Sequence, residues 1–138
     1  MSADIKTMVK RGFEEGMNKR NFSVFDEYLR PDFVNYSFPG FPPGPEGFKG
    51  AVNMFLSGFP DMQVTLDDVL AEGTTASTRG HFTGTHKGEF MGVPATGKQV
   101  NVNFIDMWKS KDGRLHESWV VMDIAGLMQQ IGAIPEPK

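Results

Sequence analysis

Residues 101–135, NVNFIDMWKSKDGRLHESWVVMDIAGLMQQIGAIP, decide how the chain is read. Two alternating apolar runs flank Lys111-Asp112-Gly113, and a short helical pattern follows. Asp-Gly between alternating runs predicts a hairpin, because both central residues of a type I′ turn need positive φ. On the first strand Val102, Phe104, Asp106 and Trp108 share one face, and on the second Ser118, Val120 and Met122 share one. Trp119 and Asp123 fall on the opposite face. Asp123 is placed to cap the closing helix, Ile124–Ile131.

Outward from the hairpin, the N-terminal half is helical. Ile5, Met8, Val9, Phe13 and Met17 recur at spacings of three and four, which predicts an amphipathic helix. A second short helix carries Phe22, Phe25, Tyr28 and Leu29 inward and stops at Arg30-Pro31, since a residue before proline is pushed out of the α region. Phe33–Tyr36 is a short extended piece, and Ser37–Glu46, rich in proline and glycine, is a loop. Pro45 suits the first turn of a third helix, whose buried face is Phe48, Val52, Phe55 or Leu56, and Phe59. From Asp61 the period changes to two. Met62, Val64 and Leu66 alternate toward a turn at Glu72-Gly73, and Ala76–Thr85 forms the next strand. Helices first and strands second, with no βαβ alternation, predict an α+β fold: an antiparallel sheet with helices on one face. The 138 residues are read as a single domain, 1–138.

Composition removes several functions. Net charge is −3, and the basic residues are dispersed, so no basic stripe offers itself to nucleic acid. There is no cysteine, hence no thiol nucleophile, thiolate metal site or disulfide. No run approaches the roughly 20 apolar residues of a membrane span, and the N-terminus lacks a signal-peptide pattern. The expectation is a cytoplasmic protein with no nucleic-acid or membrane partner.

Candidate chemistry is sparse. Gly92–Lys98 has the spacing of a phosphate-binding loop, but Gln99 stands where Ser or Thr would hold magnesium, and a strand follows instead of a helix. His81, His86 and His116 show no metal-ligand spacing, so no metal is expected. His116 beside the turn is read as solvated. Arg79 and His81 share a strand face that is either solvated or part of a pocket. Asp106 stands between Phe104 and Trp108. An apolar setting there would raise its pKa and make it a proton shuttle. The alternatives are an Asp106 facing water or paired with Arg79.

Together, Gly44-Pro45-Glu46-Gly47-Phe48, Phe59-Pro60-Asp61, Gly84–Lys98, Asp112-Gly113-Arg114, Glu117-Ser118-Trp119, Asp123 and Gln130-Ile131-Gly132 resemble the SnoaL-like polyketide cyclases, or ester cyclases, of the NTF2-like superfamily. The resemblance runs over almost the whole chain. It implies a cone-shaped barrel, with a curved antiparallel sheet wrapped around three N-terminal helices, an internal cavity, and pairing as a homodimer through the sheet. It also implies ring closure by intramolecular aldol condensation without metal or cofactor, a carboxylate taking the proton. In that pattern the last strand reads approximately Glu-His-Trp-Asp, its final Asp being the acid/base. Here it reads Glu117-Ser118-Trp119-Val120, and Tyr36 stands where the family has a histidine.

Three functions follow. The first is an enzyme whose acid/base has moved to Asp106 or His81, with Tyr36 and Arg79 stabilising an enolate. The second is a binding protein for a hydrophobic small molecule. Phe104, Trp108, Ser118 and Val120 would contact the ligand in either case. The third is a scaffold with a filled interior.

Overall fold

A computed structural model describes residues 4–135. The single-domain expectation also takes in 1–3 and 136–138, which lie outside the described residues. The chain begins with α1 (Ile5–Arg11), capped by Asp4, whose carboxylate accepts from the Thr7 amide at 2.8 Å. It continues directly as a π-helical segment, Gly12–Asn18. The single helix read from Ile5, Met8, Val9, Phe13 and Met17 is therefore real in its apolar stripe and widened in its second half. A π turn shifts side-chain phase, and such turns recur where a helix borders a functional cavity.

After α2 (Ser23–Tyr28) the backbone becomes extended at once in β1 (Leu29–Asn35). Then come α3 (Pro45–Gly58), β2 (Gln63–Glu72), β3 (Thr75–Thr85), β4 (Gln99–Lys111), β5 (Arg114–Met122) and α4 (Ile124–Gln130). Pro45 occupies the first turn of α3, and Phe48, Ala51, Val52 and Phe55 form its buried side. Asp123 caps α4 by accepting from the Gly126 amide at 2.8 Å. Both follow the local chemistry of the sequence.

The five strands form one sheet in the order β1-β5-β4-β3-β2. The β4–β5 turn has positive φ at Asp112 (52°) and Gly113 (80°), as the hairpin reading requires. Four strands are antiparallel, but β1 pairs with β5 in parallel, correcting the wholly antiparallel expectation. Parallel pairing needs a long crossover, and most of the chain lies between these two strands. β1 is an edge strand, where Pro31 removes no interior ladder bond.

The two irregularities in the antiparallel ladders have consequences for the site. In β2 the pairing steps from Leu66–Gly80 to Asp68–Arg79, which leaves Asp67 as an extra residue. In β5 it steps from Lys109–Glu117 to Ser110–Leu115, which leaves His116 extra. An extra residue reverses the inward/outward parity. Leu115 and Ser118 therefore both point inward, although their separation is odd. The helices pack on the inner face over a continuous core that runs from Ile5 and Phe13 to Leu127 and Ile131. No helix among the described residues is long and apolar enough to cross a membrane.

Candidate active site

The inner face of β4 is the base of the site. Its thirteen residues alternate between exposed and buried almost to the end, which sends Val102, Phe104, Asp106 and Trp108 inward. Across the ladder Asp106 is the Cα partner of Val120, and Trp108 is the partner of Ser118. On the other side Thr78 of β3 is the partner of Asp106. On β5 Ser118 is in turn the partner of Asn35 on β1. A short polar seam thus crosses an otherwise apolar sheet face.

The seam opens on a cavity of about 80 Å³. Phe13 and Met17 of the π segment and Phe48 and Phe55 of α3 close it from the helix side, and Phe38 of the β1–α3 loop also lines it. A second hollow of about 170 Å³ lies beneath Phe41, Pro42 and Pro43. It shares Asn35, Phe38, Phe48 and Ala51 with the first. Among the described residues lining the inner cavity, Asp106 is the only ionisable one.

Asp106 is 4% exposed. Its Oδ1 accepts from the Thr78 hydroxyl at 2.6 Å and from the Thr78 amide at 3.1 Å. Loss of solvent pushes its pKa up to about 6, and the bonds from Thr78 offset only part of that rise. The Trp108 indole N–H also favours the carboxylate, more than the Thr78 amide does, although it does not reach hydrogen-bond geometry. Trp108 Nε1 and Ser118 Oγ are both buried and make no hydrogen bond among the described residues. The Trp108 ring is fixed by stacking on Phe33 at 6.0 Å and by an edge contact with Phe13.

The structure gathers Phe104, Asp106, Trp108, Ser118 and Val120 around one cavity. It separates the other three sequence candidates from it. Arg79 and His81 point to the outer face of the sheet, where the β2 bulge presents two carboxylates to them. Arg79 Nε donates to Asp68 at 2.8 Å, and His81 Nδ1 lies 3.1 Å from Asp67. Asp106, on the inner face, has no pairing with Arg79. Tyr36 is 51% exposed, donates its hydroxyl to Glu117 at 2.8 Å and stacks on Trp119. The expectation that Tyr36 and Arg79 stabilise an enolate, and that His81 shares the pocket, is corrected on this geometry.

Thr78 is not among the sequence candidates, although its signal is present. Ala76, Thr78, Gly80 and Phe82 alternate with the outward Arg79 and His81, and inward Thr78 meets Asp106 by register. His86 begins the Gly-rich loop. It is fully buried against Phe59, with Nδ1 2.9 Å from the Thr96 hydroxyl, and it pins the Gly-rich loop rather than facing the cavity. His116 is only partly exposed, with Nε2 3.4 Å from an Asp32 carboxylate oxygen. No group of three or more His, Cys, Asp or Glu among the described residues is arranged to hold a metal ion.

Known proteins share the fold. Nogalonic acid methyl ester cyclase from Streptomyces nogalater is 26% identical over 113 residues, covering 78% of this chain and 82% of its own. TsrD from Streptomyces laurentii superposes with a TM-score of 0.86 at 30% identity, over 94% of this chain and 96% of its own. IdmH from Streptomyces antibioticus gives 0.78 at 30% identity, over 91% and 96%. The profile of the SnoaL-like polyketide cyclases matches residues 7–131, and the chain belongs to that family.

Proposed function

We propose that this protein is a cofactor-independent cyclase or isomerase that removes a proton next to a carbonyl of a hydrophobic, polyketide-like substrate, with Asp106 as the acid/base. The observation that carries the reading is the placing of Asp106. It stands directly across the ladder from Val120, the position where the family keeps its carboxylate, and it is buried in an apolar cavity. A carboxyl group with pKa near 6 is ionised at neutral pH and is a stronger base than an ordinary aspartate.

In the proposed step the Asp106 carboxylate takes the α-proton. The C–H electron pair forms a C=C bond, and the carbonyl π pair moves to oxygen as an enolate. In a cyclisation the enolate carbon then attacks a second carbonyl of the same molecule. The resulting alkoxide recovers the proton from Asp106, so no co-reactant is consumed. The cyclase activity of the Streptomyces nogalater relative supports this class of reaction.

The test is proton exchange in D₂O, followed by NMR on acetophenone, a small apolar ketone. Wild type should speed α-deuteration, and Asp106→Asn should lose about 10²-fold or more of that acceleration. Equal rates for the two proteins would sink the assignment of Asp106.

A second reading has its own support. Ser118 and Val120 replace both polar groups of the family strand, and 80 Å³ is little room for a multi-ring substrate. On this reading the cavity and the neighbouring hollow hold a hydrophobic small molecule without converting it. Ligand binding with no exchange in wild type would favour it.

We also infer that the chain pairs as a homodimer through the outer sheet face. Ile105, Met107, Trp119 and Val121 are exposed there as two facing cross-strand pairs. Such a contiguous apolar patch marks a contact surface.

A further inference from the structure

Two buried donors line the Asp106 cavity without completing a hydrogen bond, although the Trp108 N–H lies near the carboxylate. Trp108 Nε1 and Ser118 Oγ belong to residues 5% and 1% exposed, both lining the Asp106 cavity, and neither has a hydrogen-bond partner among the described residues. They are on neighbouring strands in direct register. Facing side chains on one sheet face sit about 5 Å apart at Cβ. Leaving a buried donor unpaired is unfavourable, and these two residues face each other across the ladder on one cavity wall. An indole N–H can only donate, so Trp108 selects an acceptor.

We propose that Trp108 Nε1–H and Ser118 Oγ–H together hold a carbonyl oxygen of the ligand beside Asp106, forming the site at which enolate charge collects. This rests on the proton-transfer reading above and gives that reading its second half. As Asp106 takes the α-proton, the electron pair released from the C–H bond ends on the oxygen held by the two donors. Donors fixed before reaction, in an apolar cavity, stabilise that charge more than solvent does. The pair takes over the task that the sequence reading gave to Tyr36 and Arg79, which face outward. It also sets the ligand class. The group at this position is a ketone or ester oxygen, not a carboxylate, because Asp106 is the only ionisable residue in the described lining and no cation is there to balance a second anion.

Phenol and toluene separate the proposal from mere apolar filling, since they share shape and differ in the oxygen. Phenol should bind wild type more tightly than toluene and shift the Trp108 indole ¹H–¹⁵N resonance downfield, with Trp108→Phe identifying the peak against Trp119. Trp108→Phe and Ser118→Ala should each weaken phenol binding by about tenfold, the effect of losing one buried hydrogen bond, and leave toluene unchanged. An unmoved indole resonance at saturating phenol overturns the proposal without any variant. So does an equal loss of phenol and toluene binding in both variants.

Acetophenone exchange separates this idea from its premise. Phenol selectivity without exchange in wild type supports the donor pair and refutes Asp106 as base. Exchange that depends on Asp106 but is unchanged in both donor variants refutes the pair and leaves the base in place.

Discussion

Asp106 and Val120 are Cα partners in the β4–β5 ladder, and both line the same cavity wall. A carboxylate on β4 thus stands at the level where related cyclases are expected to carry one on β5. Opposed side chains on one sheet face are about 5 Å apart at Cβ. Moving the acid across the ladder therefore changes its approach to a ligand but leaves it in the same chamber.

Burial of Asp106 has a stability consequence with a definite sign. Its pKa is raised by desolvation, from an ordinary 3.8 to about 6. Between those values the folded state binds more protons than the unfolded state, so stability falls as pH rises through that window. Above pH 6 the penalty is complete, on the order of 3 kcal/mol at about 1.4 kcal/mol per pH unit. Asp106→Asn keeps an oxygen to accept from Thr78 and removes the charge. It should raise the melting temperature at pH 7.5 and have little effect near pH 4. A melting temperature lowered at pH 7.5 would show that the carboxylate is stabilised, not strained, by its setting.

Returning the carboxylate to β5 tests whether the cavity or the strand matters. Val120→Asp alone places two carboxylates face to face, and one of them should stay protonated at neutral pH. The exchanged pair, Asp106→Val with Val120→Asp, should recover part of the acetophenone exchange lost in Asp106→Val. No recovery in a folded double variant would mean that Thr78 and the β4 geometry are required.

Much of this arrangement was legible in the sequence, and the part that was not has identifiable causes. Strict alternation along β4 put Phe104, Asp106 and Trp108 on one face, and Asp-Gly chemistry fixed the turn at Asp112-Gly113. Ala76 and Phe82 mark the inward face of β3, and its unbroken register with β4 sets Arg79 and His81 outward, opposite Ile105 and Asn103. What leaves no local mark is the extra residue at Asp67, which gathers two carboxylates beside them. Parallel pairing of β1 with β5 depends on contacts remote in sequence and leaves no local mark. Burial of His86 reflects closure of the Gly-rich loop on α3, where the Lys87 and Gly88 amides both donate to the Gly58 carbonyl.

The floor of α3 depends on a missing side chain. A Cβ at Gly47 would lie 1.6 Å from the Pro42 carbonyl oxygen, which is backbone and cannot swing aside. Gly47→Ala should destabilise the fold by at least about 2 kcal/mol, the scale of a forced backbone shift. It should also perturb the hollow under Phe41–Pro43. Urea denaturation measures the first effect, and a midpoint unchanged from wild type would contradict it.

The dimer inference rests on the outer face. Met107→Glu with Val121→Glu puts two charges into the exposed patch without touching the cavity. Sedimentation should show a dimer in wild type and a monomer in the double variant, with acetophenone exchange retained. A wild-type monomer at micromolar concentration would end the inference.

The central claim is that Asp106 is the base, and the pH dependence of acetophenone α-deuteration tests it most directly. Acceleration by wild type should rise with pH through about 6 and then level off, following ionisation of the buried carboxyl. Asp106→Asn should remove that rise. A rate already level from pH 4.5 upward, or the same rise persisting in Asp106→Asn, would contradict it.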